Sequence, residues 1–80
     1  MVATAYVLIS VTKGLEKQVY RELEKLDSVY QVDAVFGPYD LIAIIQSSDY
    51  DKIGEIVIEK ILKIEGIDDT ITCNVIHIES

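Results

Sequence analysis

Apolar residues change their spacing five times along the chain, in the order strand, helix, strand, strand, helix, strand. Such switches constrain the fold strongly, because side chains alternate across a strand but return to one face of a helix every three or four residues. Residues 2–11 (VATAYVLISV) are β-branched and alternating, as a strand requires. From Gly14 the spacing is helical. Leu15, Val19, Leu23 and Leu26 make one stripe, Glu16, Lys17, Glu24 and Lys25 are left to solvent, and Asp27-Ser28 closes the segment. Residues 29–36 read as a second strand, with Tyr30, Val32, Ala34 and Phe36 on one face. Gly37-Pro38-Tyr39-Asp40 is a turn. Residues 41–47 (LIAIIQS) then return as a third strand, whose nearly unbroken apolar run fits a central position covered on both faces. Ser48 or Asp49 is placed to cap a second helix, with Asp49 and Asp51 suiting the positive end of its dipole. Ile53, Val57, Ile61 and Ile64 form its buried stripe. Gly54 lies in its first turns, where glycine costs about 1 kcal/mol against alanine unless close packing compensates. Gly66 is a natural helix stop, and residues 67–78 close the chain as a long fourth strand.

A βαββαβ order with right-handed crossovers gives an α+β, ferredoxin-like fold: a four-stranded antiparallel sheet with two helices on one face. Strands one and three are then central, and they are the two most apolar. The length suits one domain spanning residues 1–80. Two helices leave the other side of the sheet bare. In strand one, Ala5, Val7, Ile9 and Val11 share a face opposite Val2, Thr4, Tyr6, Leu8 and Ser10. In strand four, Ile71, Cys73 and Val75 oppose Thr70, Thr72, Asn74, Ile76 and Ile78. The bare face is expected to carry Tyr6, Leu8, one set from residues 41–45, Ile76 and Ile78, with Cys73 in the core. Large contiguous apolar patches mark contact sites, so Tyr6, Leu8, Ile76 and Ile78 are read as an oligomer interface. A hydrophobic content of 50% in so short a chain also points to a second copy.

Charge excludes some partners. The formal net charge is −7, and the seven Lys and Arg residues are interspersed with acids, as in Glu16-Lys17, Arg21-Glu22 and Glu59-Lys60. Gripping a polyanion needs clustered basic residues that displace its counterions, so no direct nucleic-acid partner is expected. Stacking of RNA on the open sheet is disfavoured too, since Tyr6 is its single aromatic candidate on the central strands. The longest apolar stretch, residues 41–45, is far too short to span a bilayer. With a single cysteine, Cys73, and no leader segment, the expected protein is cytoplasmic, complete as it stands and free of internal disulfides. Catalytic chemistry finds few carriers. Cys73 and His77 lie four apart without further ligands, Asp68-Asp69 reads as a solvated entry to strand four, and no phosphate-cradling or zinc-binding motif is present. No enzyme, metal or cofactor is expected.

The turn Gly37-Pro38-Tyr39-Asp40 resembles the G-x-[YF]-D signature between strands two and three of Lrp/AsnC (feast/famine) ligand-binding domains, also called RAM domains. The run from Val29 to Phe36 is similar to the family's approach to that turn. Leu62-Lys63-Ile64-Glu65-Gly66-Ile67 is similar to its approach to strand four, Thr70-Ile71-Thr72 to its T-x-T, and Val75-Ile76 to its closing apolar pair. The resemblance covers the whole chain, apart from the family's usual helix-turn-helix, because strand one begins at Val2. It implies a stand-alone effector module that pairs through its sheets as a homodimer and assembles further, to an octamer-like ring. Such a module binds a small amino acid between dimers near the turn, and acts on full-length Lrp/AsnC regulators in controlling transcription. Carried over residue by residue, it implies ligand-binding roles for Gly37, Tyr39, Asp40, Thr70 and Thr72. Glycine lets a ligand approach the backbone, exposed amides in a turn receive a carboxylate, Asp40 is suited to an ammonium group, and Tyr39 offers an apolar wall with a polar tip. Other readings stay open: a plain hairpin turn in which Asp40 bonds its own backbone, a purely structural interaction module, an ACT-like regulatory domain, or a small dimeric enzyme of the same fold.

Overall fold

The computed structural model describes residues 2–79. The elements follow the expected order: β1 (Ala3–Val11), α1 (Glu16–Glu24), β2 (Val29–Ala34), β3 (Leu41–Ser47), α2 (Tyr50–Ile56), a π-helical turn (Val57–Ile61) and β4 (Ile67–Asn74). The strands form one antiparallel sheet in the order β2-β3-β1-β4, so β1 and β3 are central. The alternation of β1 is honoured: Ala3, Ala5, Val7, Ile9 and Val11 are buried, and they join Leu41, Ala43 and Ile45 of β3 and Val32 of β2 in the core. Val19 and Leu23 of α1 and Ile53, Val57 and Ile61 from the second helix close that core from one side, with Leu15, Leu26 and Ile64 packed against it.

The capping chemistry of the second helix is local. Asp49 is its N-cap, and its carboxylate accepts the Lys52 N–H at 2.8 Å. Beyond Ile56 the helix widens, with Leu62 N–H donating to the Val57 carbonyl at 2.9 Å, five residues back. The stripe explains the widening. In an α-helix a four-residue step overshoots a full turn by about 40°, so Ile53, Val57 and Ile61 would drift off the sheet, and one wider turn takes up the drift. The helix ends at Ile61, with Leu62 as its C-cap, short of the stop expected at Gly66. Gly66 instead turns the chain into β4, where φ is +105° and an added Cβ would lie 2.9 Å from Val19 Cγ2 and 3.1 Å from Leu15 Cβ. The Gly66 carbonyl accepts the Thr12 N–H at 2.7 Å, tying the two connections together. Gly54 is different: a Cβ there would meet nothing within 4 Å. Close packing does not account for it, and nothing in the structure explains it.

Three expectations require correction. Strand two ends at Ala34, and its pairing with β3 slips at Tyr30, between Val29 and Gln31. Tyr30 and Phe36 therefore leave the face of Val32 and stand exposed. Strand four ends at Asn74, so Ile76 and Ile78, at 71% and 84% exposure, lie past the sheet and not on its bare face with Tyr6 and Leu8. Cys73 is exposed instead of filling the core. The cause is register. β4 sets Cys73 opposite Tyr6 and Ile71 opposite Leu8, which puts both on the uncovered side and turns Thr70, Thr72 and Asn74 toward the helical side. The helices lie over β2, β3 and β1, and β4 reaches out beyond them.

Candidate functional site

Two surfaces bear on function, the loop between β2 and β3 and the bare face of the sheet. The loop is held by three hydrogen bonds that converge on Asp40. Val35 N–H donates to the Asp40 carbonyl at 3.0 Å and closes the hairpin. Asp40 N–H donates to the Ile9 carbonyl at 2.9 Å. The Asp40 carboxylate accepts the Val11 N–H at 2.7 Å through Oδ2. Ladder pairing between β1 and β3 stops at Ile9 and Leu41, and β1 shifts register against β4 between Ser10 and Val11. At that irregularity Asp40 replaces the missing strand, carrying the hydrogen bonding of β1 one step further with its side chain.

That geometry gives the Asp40 side chain a partner that neither sequence reading named. One carboxylate oxygen is committed to the backbone of β1, not to its own turn, and the residue holds the loop against the sheet. Gly37, at φ +153°, would strain an L side chain, although a Cβ there would have open space around it. Tyr39 is half-buried, whereas Phe36 is fully exposed at the tip of the loop. Ala34, Val35 and Phe36 line a shallow recess of about 220 Å³. A second recess of about 160 Å³ lies on the helical side of the same hairpin end, between Ala34 and Leu41 below and Glu16, Lys17, Tyr20 and Arg21 above. Thr70 and Thr72 are not gathered at the loop. Thr70 pairs with Ile9 and Thr72 with Val7, and β1 separates both from β3, so they lie two strands, about 10 Å, away across the sheet.

On the bare face the register assembles two rows. Ile42, Leu8 and Ile71 stand side by side across β3, β1 and β4, and Ile44, Tyr6 and Cys73 form the row beside them. Asp33 and Gln31 of β2 flank these rows on one edge. Tyr6 and Ile71 are 45% and 43% exposed, while Leu8, Ile42 and Ile44 are half-buried. Ile71 and Cys73 were absent from the interface read out of the sequence. Strand alternation had already separated them from Thr70 and Thr72, but only the pairing with Tyr6 and Leu8 says which set faces out.

Residues 4–78 match the Lrp/AsnC ligand binding domain. The chain belongs to that family. A protein described as an uncharacterised HTH-type transcriptional regulator of Pyrococcus furiosus is 36% identical over 72 residues, which is 86% of this chain and 48% of the regulator. The chain thus spans about half the length of the regulators it matches. Among solved structures, a Thermus thermophilus protein superposes with a TM-score of 0.90 at 29% identity, over 98% of both chains. A transcriptional regulator of Neisseria meningitidis, solved as a complex with L-Met, superposes with a TM-score of 0.84 over 94% of this chain and 50% of its own, at 18% identity. The Gly37–Asp40 turn and the two apolar rows lie within the residues matched to the Lrp/AsnC domain. Among the described residues no helix is long and apolar enough to cross a membrane, and no three His, Cys, Asp or Glu side chains are grouped to hold a metal ion.

Proposed function

We propose that this Lrp/AsnC domain is a cytoplasmic amino-acid-responsive effector module, a binding and assembly unit rather than an enzyme, which acts on transcription through protein partners and not by gripping DNA itself. The observation that carries the reading is the unfinished state of the loop. Phe36, a large aromatic, is fully exposed beside a recess formed by Ala34 and Val35. A single chain makes only one wall of a site there. A second copy supplies the other wall, so that a small amino acid is enclosed between subunits. Its carboxylate is received by main-chain amides of the loop, and its side chain packs on Phe36 and Tyr39. Asp40 acts here by holding the loop, because one of its carboxylate oxygens already serves Val11. The Neisseria regulator captured with L-Met supports the choice of ligand class. The bare face carries the primary dimer contact through Tyr6, Leu8, Ile42, Ile44, Ile71 and Cys73.

Affinity for so small a ligand is expected on the order of micromolar to millimolar, because few atoms must offset the lost rigid-body freedom. Ligand enclosed between subunits also favours the larger assembly. The test is a thermal-shift and light-scattering screen of the twenty amino acids on the parent, Phe36→Ala and Asp40→Asn proteins. One or a few amino acids should raise the melting temperature or the mass, Phe36→Ala should abolish the response and Asp40→Asn should keep it. A flat screen on the parent would remove the ligand and leave a structural interaction module.

A further inference from the structure

The two edges of the sheet are finished differently. An exposed edge strand offers unpaired main-chain donors and acceptors, and folded proteins normally block such edges with charges, proline or bulges. The β2 edge is blocked in that way: its register slips at Tyr30, and Asp33 stands exposed along it. The β4 edge is not. From Thr70 to Ile78 the sequence TITCNVIHI holds no Asp, Glu, Lys, Arg, Pro or Gly, in a chain with 26% charged residues.

The hydrogen-bond parity says which groups this edge presents. Val75 N–H donates to the Thr4 carbonyl at 2.8 Å, so in an antiparallel ladder the odd-numbered residues of β4 turn their amides toward β1. The even-numbered amides turn outward, away from the sheet. Thr70 is the first of them, and it is capped by the neighbouring side chain: Thr70 N–H donates to Asp69 Oδ1 at 2.9 Å. The cap sets where the open edge begins, so Thr72 and Asn74 are the outward donors that follow, and Ile76 and Ile78 continue their parity past the strand. The continuation is aimed by its root, since Val75 is held both through its N–H by Thr4 and through its carbonyl by the Tyr50 hydroxyl. Both faces of β4 are exposed as well, the helices covering the other three strands.

We propose that the segment from Thr72 to Ile78 is an intermolecular strand that pairs antiparallel with the same segment of a second copy. A twofold axis near Val75 sets Thr72 opposite Ile78 and Asn74 opposite Ile76, and every outward amide in the run then meets an outward carbonyl. This pairing is self-complementary, as a closed twofold contact requires. It uses the sheet edge and not the face bearing Tyr6 and Leu8, so it joins pairs that the face has already made. Ile76 and Ile78, bare in one chain, gain neighbours beside Thr72 and Asn74 of the second copy.

Amide hydrogen exchange by NMR on the parent protein tests the pairing directly. Thr72, Asn74 and Ile76 should exchange more slowly than free amides by roughly tenfold or more, the factor that one net main-chain hydrogen bond supplies. Ile76→Pro removes an outward donor outside β4, so the fold should survive. In that variant protection at Thr72 and Asn74 should be lost, and light scattering should show one step of assembly gone. Leu8→Asp tests the face separately: it should break the face contact and leave edge protection in place. Fast exchange of Thr72 and Asn74 in the assembled parent would overturn the edge pairing while leaving the face dimer standing. So would an Ile76→Pro protein with unchanged mass and unchanged protection.

Discussion

Replacing Asp40 with alanine should destabilise the domain by about 1–3 kcal/mol, the cost of leaving a buried or half-buried donor without its acceptor. The donor is the Val11 amide, whose residue is buried in the core and whose bond to Asp40 Oδ2 is 2.7 Å long. β3 does not supply a substitute, because ladder pairing with β1 stops at Ile9. An asparagine at this position would keep an oxygen in the same place and lose only the charge assistance, so Asp40→Asn should cost less, about 1 kcal/mol. For a chain of this size each kcal/mol lowers the melting temperature by about 4–8 °C. Asp40→Ala should therefore melt at least about 4 °C below the parent, with Asp40→Asn between them. Thermal unfolding must be followed at one fixed protein concentration, because association stabilises the folded chain by mass action. The ranking separates two roles for the same side chain. A residue that holds the loop predicts that stability falls from the parent to Asp40→Asn to Asp40→Ala, with an amino-acid response retained by Asp40→Asn. If Asp40→Ala unfolds within about 0.5 kcal/mol of the parent, the range of an ordinary surface substitution, the reasoning fails and the carboxylate is free for a ligand.

The bare face should behave as a contact. Leu8→Asp or Tyr6→Asp should lower the mass seen by light scattering, because a charge buried at an apolar contact is costly, and Cys73 should then react faster with a thiol reagent; unchanged mass in both variants would refute the face. Gly66→Ala should be destabilising by roughly 2–5 kcal/mol in chemical denaturation, combining left-handed backbone strain with overpacking against Val19 and Leu15. Gly54→Ala should instead stabilise by about 0.5–1 kcal/mol, since the helix gains and the added methyl meets no neighbour. Gel-shift titration with duplex DNA at physiological salt should show no binding, and a shift that weakens as salt rises would contradict that expectation.

Periodicity was enough to place every element, because burial is periodic and each period belongs to one kind of backbone. Leu15, Val19 and Leu23 could only be a helix stripe, and the Ala5-Val7-Ile9 alternation only a strand. Asp49 marks the start of its helix through local chemistry that needs no distant partner, whereas the helix ends at Ile61 and not at Gly66. The family too was readable from the turn at Gly37–Asp40 and the motifs around it. Other features required the folded chain. Alternation divides a strand into two sets but does not say which set lies on the helical side, and the register against β1 is what put Cys73 and Ile71 on the bare face and Thr72 on the opposite one. The slip at Tyr30 and the end of β4 at Asn74 depend on which hydrogen bonds a neighbouring strand can offer, so no local pattern marks them. The role of Asp40 was hidden for the same reason. Its partner, the Val11 amide, is twenty-nine residues away in sequence, and the need for an acceptor there arises only where β1 leaves its ladder with β3.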